Sequence, residues 1–481
     1  MAAADPFDLR IVCVSHCWLQ PDHPDPRGHN LRILASALRR LLEYTEGEVR
    51  PFRKIAVFYD FCSLHQGCRA PDGTPQDRAF LWDNAAGCFQ GGAIGRLESE
   101  EVLFRKALGS LAALYSLPKT YVFMLTSFPP DYDDPIAYKR SGNCAPYFER
   151  GWCFCESSWA MMVKDSHMVL DLGKFKGSDD TSIGLENFVR LCAHGRRPPI
   201  LPDTFKAQLY NKAFTNGHTD RPRVEKLYSD SFETRFSTAS KLVYEALRWG
   251  DPEAEAMADL LEARAAPQLE SLHLAYNSIG NYGARALAAR LPLANGLCEL
   301  DLLDNCIERE GAIAIANVLP ATPSIRRLTF DGNHIGDHGA AGLARALATG
   351  VALTVLNLMR TGIGDNGVAS LASALPLAWK LTELRLGNNF IHDAGARTLA
   401  AALSTRIGLS VLGLRNEDLD DVELARRDDI SGRIRERGGF YFARNQVSDE
   451  AAKQLKASCV ASDVKCDLFE PLPNLSTLGC G

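Results

Sequence analysis

Hydrophobic and polar positions follow two different rhythms along this chain. In the first 175 residues, apolar runs such as RIVCVSHCW alternate with amphipathic stretches such as NLRILASALRRLLEY. A short apolar run predicts a buried strand, and apolar residues spaced three and four apart predict a helix. Strands that alternate with helices indicate an α/β domain built on a parallel sheet.

The order of these elements predicts where a site would lie in the first half. The predicted strands are RIVCVSHCW, KIAVFYDFCSL, TYVFMLTSF and HMVLDLG, and the predicted helices are NLRILASALRRLLEY, EEVLFRKALGSLAALY and GWCFCESSWAMM. Ligands of open parallel sheets bind beyond the C-terminal ends of the strands. We therefore expect Ser15, His16, Trp18, Asp60 and Ser127 to converge at one edge, with Glu156 contributing from a nearby helix start.

The second rhythm is an internal repeat that begins at residue 269. The copies LESLHLAYNSI and LCELDLLDNCI are followed by three more, and Asn277 and Asn305 lie 28 residues apart. Alternating leucines predict a short strand, and the glycine, alanine and leucine pattern after each strand predicts a helix. One such unit cannot bury its own apolar face, so the units are expected to stack into a solenoid. Each asparagine is expected to bond neighbouring backbone in a ladder.

These copies resemble leucine-rich repeats of the ribonuclease-inhibitor type, which also occur in innate-immune receptors, over about residues 269–457. The resemblance implies an α/β solenoid whose concave strand face binds a protein partner. Five residues at equivalent positions of that face are candidate partner contacts: His273, Asp301, Thr329, Asn357 and Arg385. Their charges are of mixed sign, so they do not indicate the charge of the partner.

The stretch RGWCFCESSWA places one carboxylate, Glu156, among aromatic and apolar neighbours. Burial of a carboxylate is costly unless a partner replaces its water. Glu156 therefore either points outward or has a functional role. A direct view of its surroundings would separate these two interpretations.

Several motifs of the first half resemble, in order, the fungal heterokaryon-incompatibility (HET) domain, a divergent relative of the Toll/interleukin-receptor (TIR) domain. The motifs are SHCW after the first strand, Asp60, Cys62 and Gln66 after the second, Leu114 and Tyr115 at a helix end, and Arg150, Trp152 and Glu156. WCFCE is also similar to the W-C-x-x-E motif of plant TIR domains, whose glutamate is catalytic in NAD cleavage. The resemblance covers about residues 9–175 and implies a flavodoxin-type parallel-sheet domain.

By this resemblance, NAD is a substrate, and no resident cofactor is expected. Glu156 would be the catalytic carboxylate, since a fixed negative charge can stabilise the positive charge that develops on the ribose. The residues expected to bind the substrate are Ser15, His16, Trp18, Asp60 and Trp152.

Composition narrows the choice of partners. The chain is 46% hydrophobic with a net charge of −6, which gives no electrostatic reason to expect nucleic acid or a membrane surface as partner. It begins with no signal-peptide pattern and has no apolar run long enough to span a membrane, so we expect a cytoplasmic protein. The 14 cysteines form no C-x-x-C pairs, so reduced thiols and no metal site are expected.

These patterns predict five segments and leave two functional classes open. The segments are a TIR/HET-like α/β domain over 1–175, a helical connector over 176–248, a capping helix over 249–268, leucine-rich repeats over 269–457 and a tail over 458–481. The chain would be a signalling or stress-sensing protein whose first domain hydrolyses NAD or self-associates, or a non-catalytic scaffold. In the enzyme Glu156 would lie beside Ser15 and Asp60, and in the scaffold it would be exposed or paired with a base such as Arg150.

Overall fold

The computed structural model describes residues 9–17, 25, 27–43, 54–59, 81–83, 88–90, 111–117, 120–133, 145–164, 166–175, 184–214, 217–404, 408–414 and 445–467. The chain divides into two compact units, Met1–Thr234 and Arg235–Gly481. The first contains the α/β elements and the helices that follow them, and the second contains the repeats.

In its described residues, the first unit has six strands: β1 (Leu9–His16), β2 (Lys54–Tyr59), β3 (Leu81–Asp83), β4 (Cys88–Gln90), β5 (Thr120–Leu125) and β6 (Val169–Asp171). Four of them form a parallel sheet in the order β2-β1-β5-β6. The short strands β3 and β4 pair with each other in an antiparallel ribbon. A strand therefore overlaps each of the four predicted strand segments, and the predicted parallel sheet is present.

Helices connect and follow these strands. The helices are α1 (His29–Glu43), α2 (described over 111–116), α3 (Gly151–Val163), α4 (Leu185–Cys192), α5 (Pro202–Tyr210) and α6 (Gly217–Phe236). The first three coincide with the predicted helices, and the last three lie in the predicted connector.

Alternation along β1 assigns its two faces to different helices. Val12 and Val14 belong to a buried cluster with Leu34 of α1 and Phe123 of β5. Residues one position away point to the opposite face. Ser15 on that opposite face contacts α3. The sheet is therefore covered by α1 on one side and by α3 on the other.

An eight-stranded parallel sheet forms the second unit, with its strands in continuous order from β14 to β7. The strands are β7 (Lys241–Val243), β8 (Ser271–His273), β9 (Glu299–Asp301), β10 (Arg327–Thr329), β11 (Val355–Asn357), β12 (Glu383–Arg385), β13 (Val411–Gly413) and β14 (Lys465–Asp467). The helices are α7 (Asp251–Glu262), α8 (Asn281–Arg290), α9 (Arg309–Val318), α10 (Gly336–Leu347), α11 (Asp365–Ala374), α12 (Asp393–Leu403) and α13 (Asp449–Ala461).

This sheet extends beyond the predicted repeat at both ends. β7 lies before the segment predicted as a capping helix and pairs with β8, so α7 is the helix of a further strand–helix unit. At the other end, β14 pairs with β13 and lies inside the predicted tail. The pattern of β7 is hard to recognise because Tyr244 and Leu247 stand where the later copies have leucine and asparagine.

The asparagine ladder is present as predicted. The Asn305 side-chain amide donates to the carbonyl oxygens of Leu274 (2.9 Å) and Leu302 (3.1 Å), and its oxygen accepts from the Ile279 N–H (3.0 Å). Asn277, Asn333, Asn389 and Asn445 make corresponding bonds. These side chains pair backbone groups that lie between adjacent units and would otherwise be buried without partners.

A second ladder of polar side chains links the helix starts. Asp365, at the start of α11, accepts from the backbone N–H groups of His392 (2.8 Å) and Gly395 (2.9 Å) at the start of α12. Asp251, Asn281, Asp337 and Asp393 act similarly on the unit that follows each of them. The helices α8, α9, α11 and α12 are thus capped by the unit before them, which replaces the side-chain cap that their own N-cap residues do not provide.

This second ladder is interrupted at the start of α9, where Arg309 takes the place of the acceptor. At the next unit, the Gly336 N–H donates instead to the carbonyl oxygen of Thr361 (3.0 Å), and Gly336 adopts a φ of 57°. Thr361 is also the residue that replaces asparagine in the first ladder. The replacement of the acceptor by Arg309 and of the asparagine by Thr361 therefore both affect the contacts at the start of α10.

The structure corrects the expectation that all cysteines are reduced thiols. Cys459 of α13 and Cys466 of β14 are joined by a disulfide, with their Cα atoms 6.2 Å apart. No sequence pattern indicates this disulfide, because the two residues are separated by seven positions in a segment predicted to lie outside the sheet. Of the helices in the described ranges, none has the length and apolar character required to cross a bilayer.

Candidate functional site

Glu156 lies in the middle of α3 and is completely buried. The Ser15 hydroxyl, near the C-terminal end of β1, donates a hydrogen bond to Glu156 Oε2. The structure therefore brings together two of the residues predicted to share a site, at the edge of the sheet where ligands of this fold class bind. Glu156 is not exposed to solvent.

Tyr147 is a third member of this cluster and was not anticipated from the sequence. Its hydroxyl is hydrogen-bonded to Ser15 Oγ, and its side chain is buried. Since a serine hydroxyl has one proton and Ser15 donates it to Glu156, Tyr147 acts as the donor to Ser15. Burial, together with the nearby Cys153 and the charge of Glu156, raises the pKa of Tyr147 well above its usual value. Tyr147 therefore stays protonated.

Buried thiols surround the cluster. The sulfur atoms of Cys17 and Cys153 lie 3.9 Å apart, and the Cys153 thiol lies 3.6 Å from the carbonyl oxygen of His16. The interaction with Cys17 and burial raise the pKa of Cys153, while burial and the charge of Glu156 raise that of Cys155. Cys153 and Cys155 are consequently thiols at neutral pH.

Contacts at its two ends hold α3 in position. At the first residue, the Gly151 N–H donates to the carbonyl oxygen of Ala213 (3.0 Å), and a Cβ there would lie 1.9 Å from the Phe214 ring. At the other end, the buried Arg196 donates to the carbonyl oxygens of Met161 (3.1 Å) and Met162 (2.8 Å). A cation at a helix C-terminus satisfies free carbonyl groups and the helix dipole.

The other predicted substrate-binding residues have separate surroundings. His16 is buried, with its ring centroid 4.3 Å from that of Tyr59. The Trp152 indole N–H donates to Asp220 of α6 at 3.3 Å, a partner that the sequence did not suggest. Trp18 and Asp60 lie outside the residues that the structure describes.

The second candidate site is the concave strand face, defined here by the last residues of β8 to β12. The strand register pairs these residues in succession, His273 with Asp301, then Thr329, Asn357 and Arg385. Each lies one unit beyond the previous one, and none of the five is fully buried. The five predicted contact positions therefore do form one continuous row.

His273 lies close to two carboxylates at the first end of this row. Its Nδ1 atom lies 3.5 Å from a carboxylate oxygen of Glu245 and 3.5 Å from one of Asp301. Interaction with Asp301, and then with Glu245, raises the pKa of His273 to about 9. The imidazole is therefore protonated at neutral pH.

A buried group of charges beside this row was missed in the sequence. Arg360 Nη2 lies 2.8 Å from Asp331 Oδ1 and 4.0 Å from Asp304 Oδ2, and all three side chains are nearly inaccessible. Asp304 and Arg360 also have positive φ angles of 47° and 54°. In other units, the residue just before the position of the asparagine ladder also has a positive φ angle, as at Tyr276, Gly332 and Asn388. The turn is therefore a feature of the repeat, and the three charges that cluster there come from three successive units.

Comparison with known protein families agrees with the geometry of the second unit. The family model described as "Leucine Rich repeat" matches residues 266–288, 297–316, 353–372 and 380–400. The C-terminal region consists of leucine-rich repeats. Leucine-rich repeats are typically protein-interaction modules, which is consistent with a binding or signalling role for this chain.

Comparisons with curated proteins and with solved structures add no further family assignment. A search of the curated proteins finds no match. Among solved structures, the chain is similar to an internalin (inlF) from Listeria monocytogenes, with 15% sequence identity. That similarity covers 51% of this chain and 89% of the internalin, with a TM-score of 0.17, which is too low to support a structural argument.

Proposed function

We propose that this chain is a signalling protein whose leucine-rich repeats bind a protein partner on the concave strand face. The observation that supports this most directly is the row of five side chains in strand register, from His273 to Arg385. The buried leucines hold the scaffold constant, while the residue at each of these positions differs from unit to unit. Such a surface allows recognition by polar contacts without any change to the core.

Site-specific crosslinking in cells tests this recognition role. A photoreactive amino acid at Thr329, in the centre of the row, should crosslink to a discrete partner. The same residue at Arg345, on the exposed side of α10, is the matched control. Asn357→Ala, next to Thr329 in the register, should reduce the crosslink at Thr329. Equal crosslinking from Thr329 and Arg345 would contradict the proposal.

The first unit acts, in this proposal, as the TIR/HET-like effector, with Glu156 at its centre. Glu156 is a fully buried carboxylate, and it lies against Ser15 at the C-terminal end of a parallel strand. Hydroxyl groups hold this carboxylate in place. Because burial also shields it from water, its negative charge would interact strongly with a positive charge that develops nearby. The residue types, the position in the sheet and the resemblance of WCFCE to the TIR motif all support this assignment.

The proposed reaction is hydrolysis of NAD to nicotinamide and ADP-ribose. The bond between ribose C1′ and the nicotinamide nitrogen breaks, and its electron pair neutralises the pyridinium ring. Positive charge develops on the ribose, where Glu156 would stabilise it, and water then adds to C1′ and releases a proton. Ser15 and Tyr147 would orient the carboxylate, while no resident cofactor is required.

Binding of NAD to the full chain is the first test of this effector role. Isothermal titration of the wild type with NAD should give a saturable signal, and Glu156→Gln should weaken it. Glu149→Gln is the control, because Glu149 lies two residues before α3, is largely exposed and pairs with Lys212. The alternative function is a scaffold that self-associates through the first unit, and in that case neither protein would bind NAD.

A further inference from the structure

We propose that Glu245, His273 and Asp301 form a binding site for a divalent transition-metal ion at the β7 end of the concave strand face. The three side chains come from three successive strand units, and one ligand atom from each lies within 4.8 Å of the other two. An imidazole nitrogen with two carboxylate oxygens favours ions such as Zn²⁺, Co²⁺ and Ni²⁺ over Ca²⁺ or Mg²⁺.

The distances around His273 suit a shared ion. Nδ1 is 3.5 Å from Glu245 Oε1 and 3.5 Å from Asp301 Oδ2. Ligands bound to one tetrahedral zinc ion at about 2.1 Å are separated from each other by about 3.4 Å. The two carboxylates therefore already have the separation from Nδ1 that a common ion requires.

A further carboxylate lies near the other side of the imidazole. The Nε2 atom of His273 is buried and lies 3.7 Å from Glu299 Oε2, an ion-pair distance that is too long for a hydrogen bond. Glu299 is held by the Ser271 hydroxyl (3.2 Å) and by Arg327 (3.5 Å). With a metal ion on Nδ1, Glu299 would be the carboxylate that accepts from Nε2, an arrangement common in metal sites.

Asp301 is oriented as well. Its Oδ1 atom accepts a hydrogen bond from the Leu303 N–H (3.0 Å), which leaves Oδ2 to face His273. Three protein ligands leave at least one coordination position for water or for a side chain of a partner. The inference concerns the metal alone and does not depend on the proposed function.

A proton and a metal ion would compete for Nδ1 of His273. The pKa of His273 is raised to about 9, because Asp301 and Glu245 favour the cationic form, whereas burial and the nearby Lys241 oppose it. The same two carboxylates would favour a metal cation. A bound metal ion displaces the proton, so the apparent affinity should fall as the pH falls.

Cobalt titration of the chelator-treated full chain tests the site. The wild type should bind one equivalent of Co²⁺ with the visible spectrum of nitrogen and oxygen ligands, without the thiolate bands that the cysteines would produce. His273→Ala and Glu245→Gln should each weaken binding at least tenfold. The control is His334→Ala, because His334 is an exposed histidine two units away.

Calorimetry in two buffers of different ionisation enthalpy should show release of about one proton per metal bound at pH 7.5. Circular dichroism establishes that the variants are folded, and Glu245→Gln, at a largely exposed residue, provides a second test if His273→Ala is unstable. Unchanged affinity in Glu245→Gln, a purely thiolate spectrum, or no binding by the wild type would overturn the inference.

Discussion

The hydroxyl of Ser15 donates to the carboxylate of Glu156, and this contact joins the end of β1 to the middle of α3. Both side chains are fully buried, so a hydrogen bond to bulk water cannot replace this one. Tyr147 extends the contact from the other side of Ser15. The Ser15 hydroxyl therefore helps to fix the position of Glu156, and the Tyr147 hydroxyl in turn holds Ser15.

Ser15→Ala should destabilise the chain, because it removes a hydrogen-bond donor from a buried carboxylate. We expect the free energy of unfolding to fall by about 1 to 3 kcal/mol. Urea denaturation measures this change in the transition that reports on the first unit. Ser157→Ala is the control, since the Ser157 hydroxyl bonds only to a carbonyl oxygen of its own helix among the contacts described. Equal effects of the two substitutions would contradict the assigned contact.

Asn305→Leu should destabilise the repeats, because it leaves the Ile279 N–H and the Leu274 carbonyl oxygen without this partner between two units. The expected loss is about 1 to 3 kcal/mol, measured by thermal or chemical unfolding. Asn366→Leu, at an exposed position of α11, is the matched control and should be nearly neutral. An unchanged melting temperature in Asn305→Leu would exclude the ladder as a stabilising feature.

Asp365→Ala tests the second ladder. It removes the acceptor for the N–H groups of His392 and Gly395, and we expect a loss of about 0.5 to 2 kcal/mol, as for other helix caps. Arg309→Ala at the equivalent position provides the internal control, because Arg309 is exposed and pairs with Glu310. The inter-unit cap would be of no consequence if the two variants melted at the same temperature.

The pKa of His273 predicts a pH dependence of stability. It is raised to about 9 in the folded protein from an ordinary value of 6.5, so the folded state binds the proton more tightly. This contribution is fully present below pH 6.5 and is lost as the pH rises to 9. In the presence of a chelator, urea denaturation should show part of this decline disappearing in His273→Gln. An identical pH profile in the variant would show that His273 is not responsible.

The repeats could be predicted well from the sequence because successive units have the same spacing of strand, turn and helix residues. Leu272, Leu300 and Leu328 recur at one interval, and Asn277 and Asn305 mark the turn, so strand, helix and ladder follow together. The first strand–helix unit of the repeat sheet, which contains β7, was not predicted because single substitutions removed its leucine and asparagine pattern. Leu242 and Gly250 lie 30 rather than 28 residues before Leu272 and Gly280, but they keep the same distance of eight residues from each other, and this spacing could have identified β7.

The site around Glu156 was predicted only in part, for a different reason. Ser15 and Glu156 follow recognisable elements, so the topology of a parallel sheet places them at one edge. Tyr147 lies in a short 3₁₀ helix before α3, and no periodic pattern indicates which neighbour it contacts. Contacts such as those of Tyr147 and of the Arg360 charge group depend on side chains from distant segments, and the chain pattern does not encode them locally.

Release of nicotinamide from NAD by the purified full chain, clustered through an N-terminal tag, is the most direct test of the effector assignment. We predict turnover by the wild type, a loss of about a hundredfold or more in Glu156→Gln, and near-wild-type turnover in Glu149→Gln. Turnover that Glu156→Gln leaves intact would remove Glu156 from the reaction. No nicotinamide release by the clustered wild type would contradict the effector assignment and favour the scaffold.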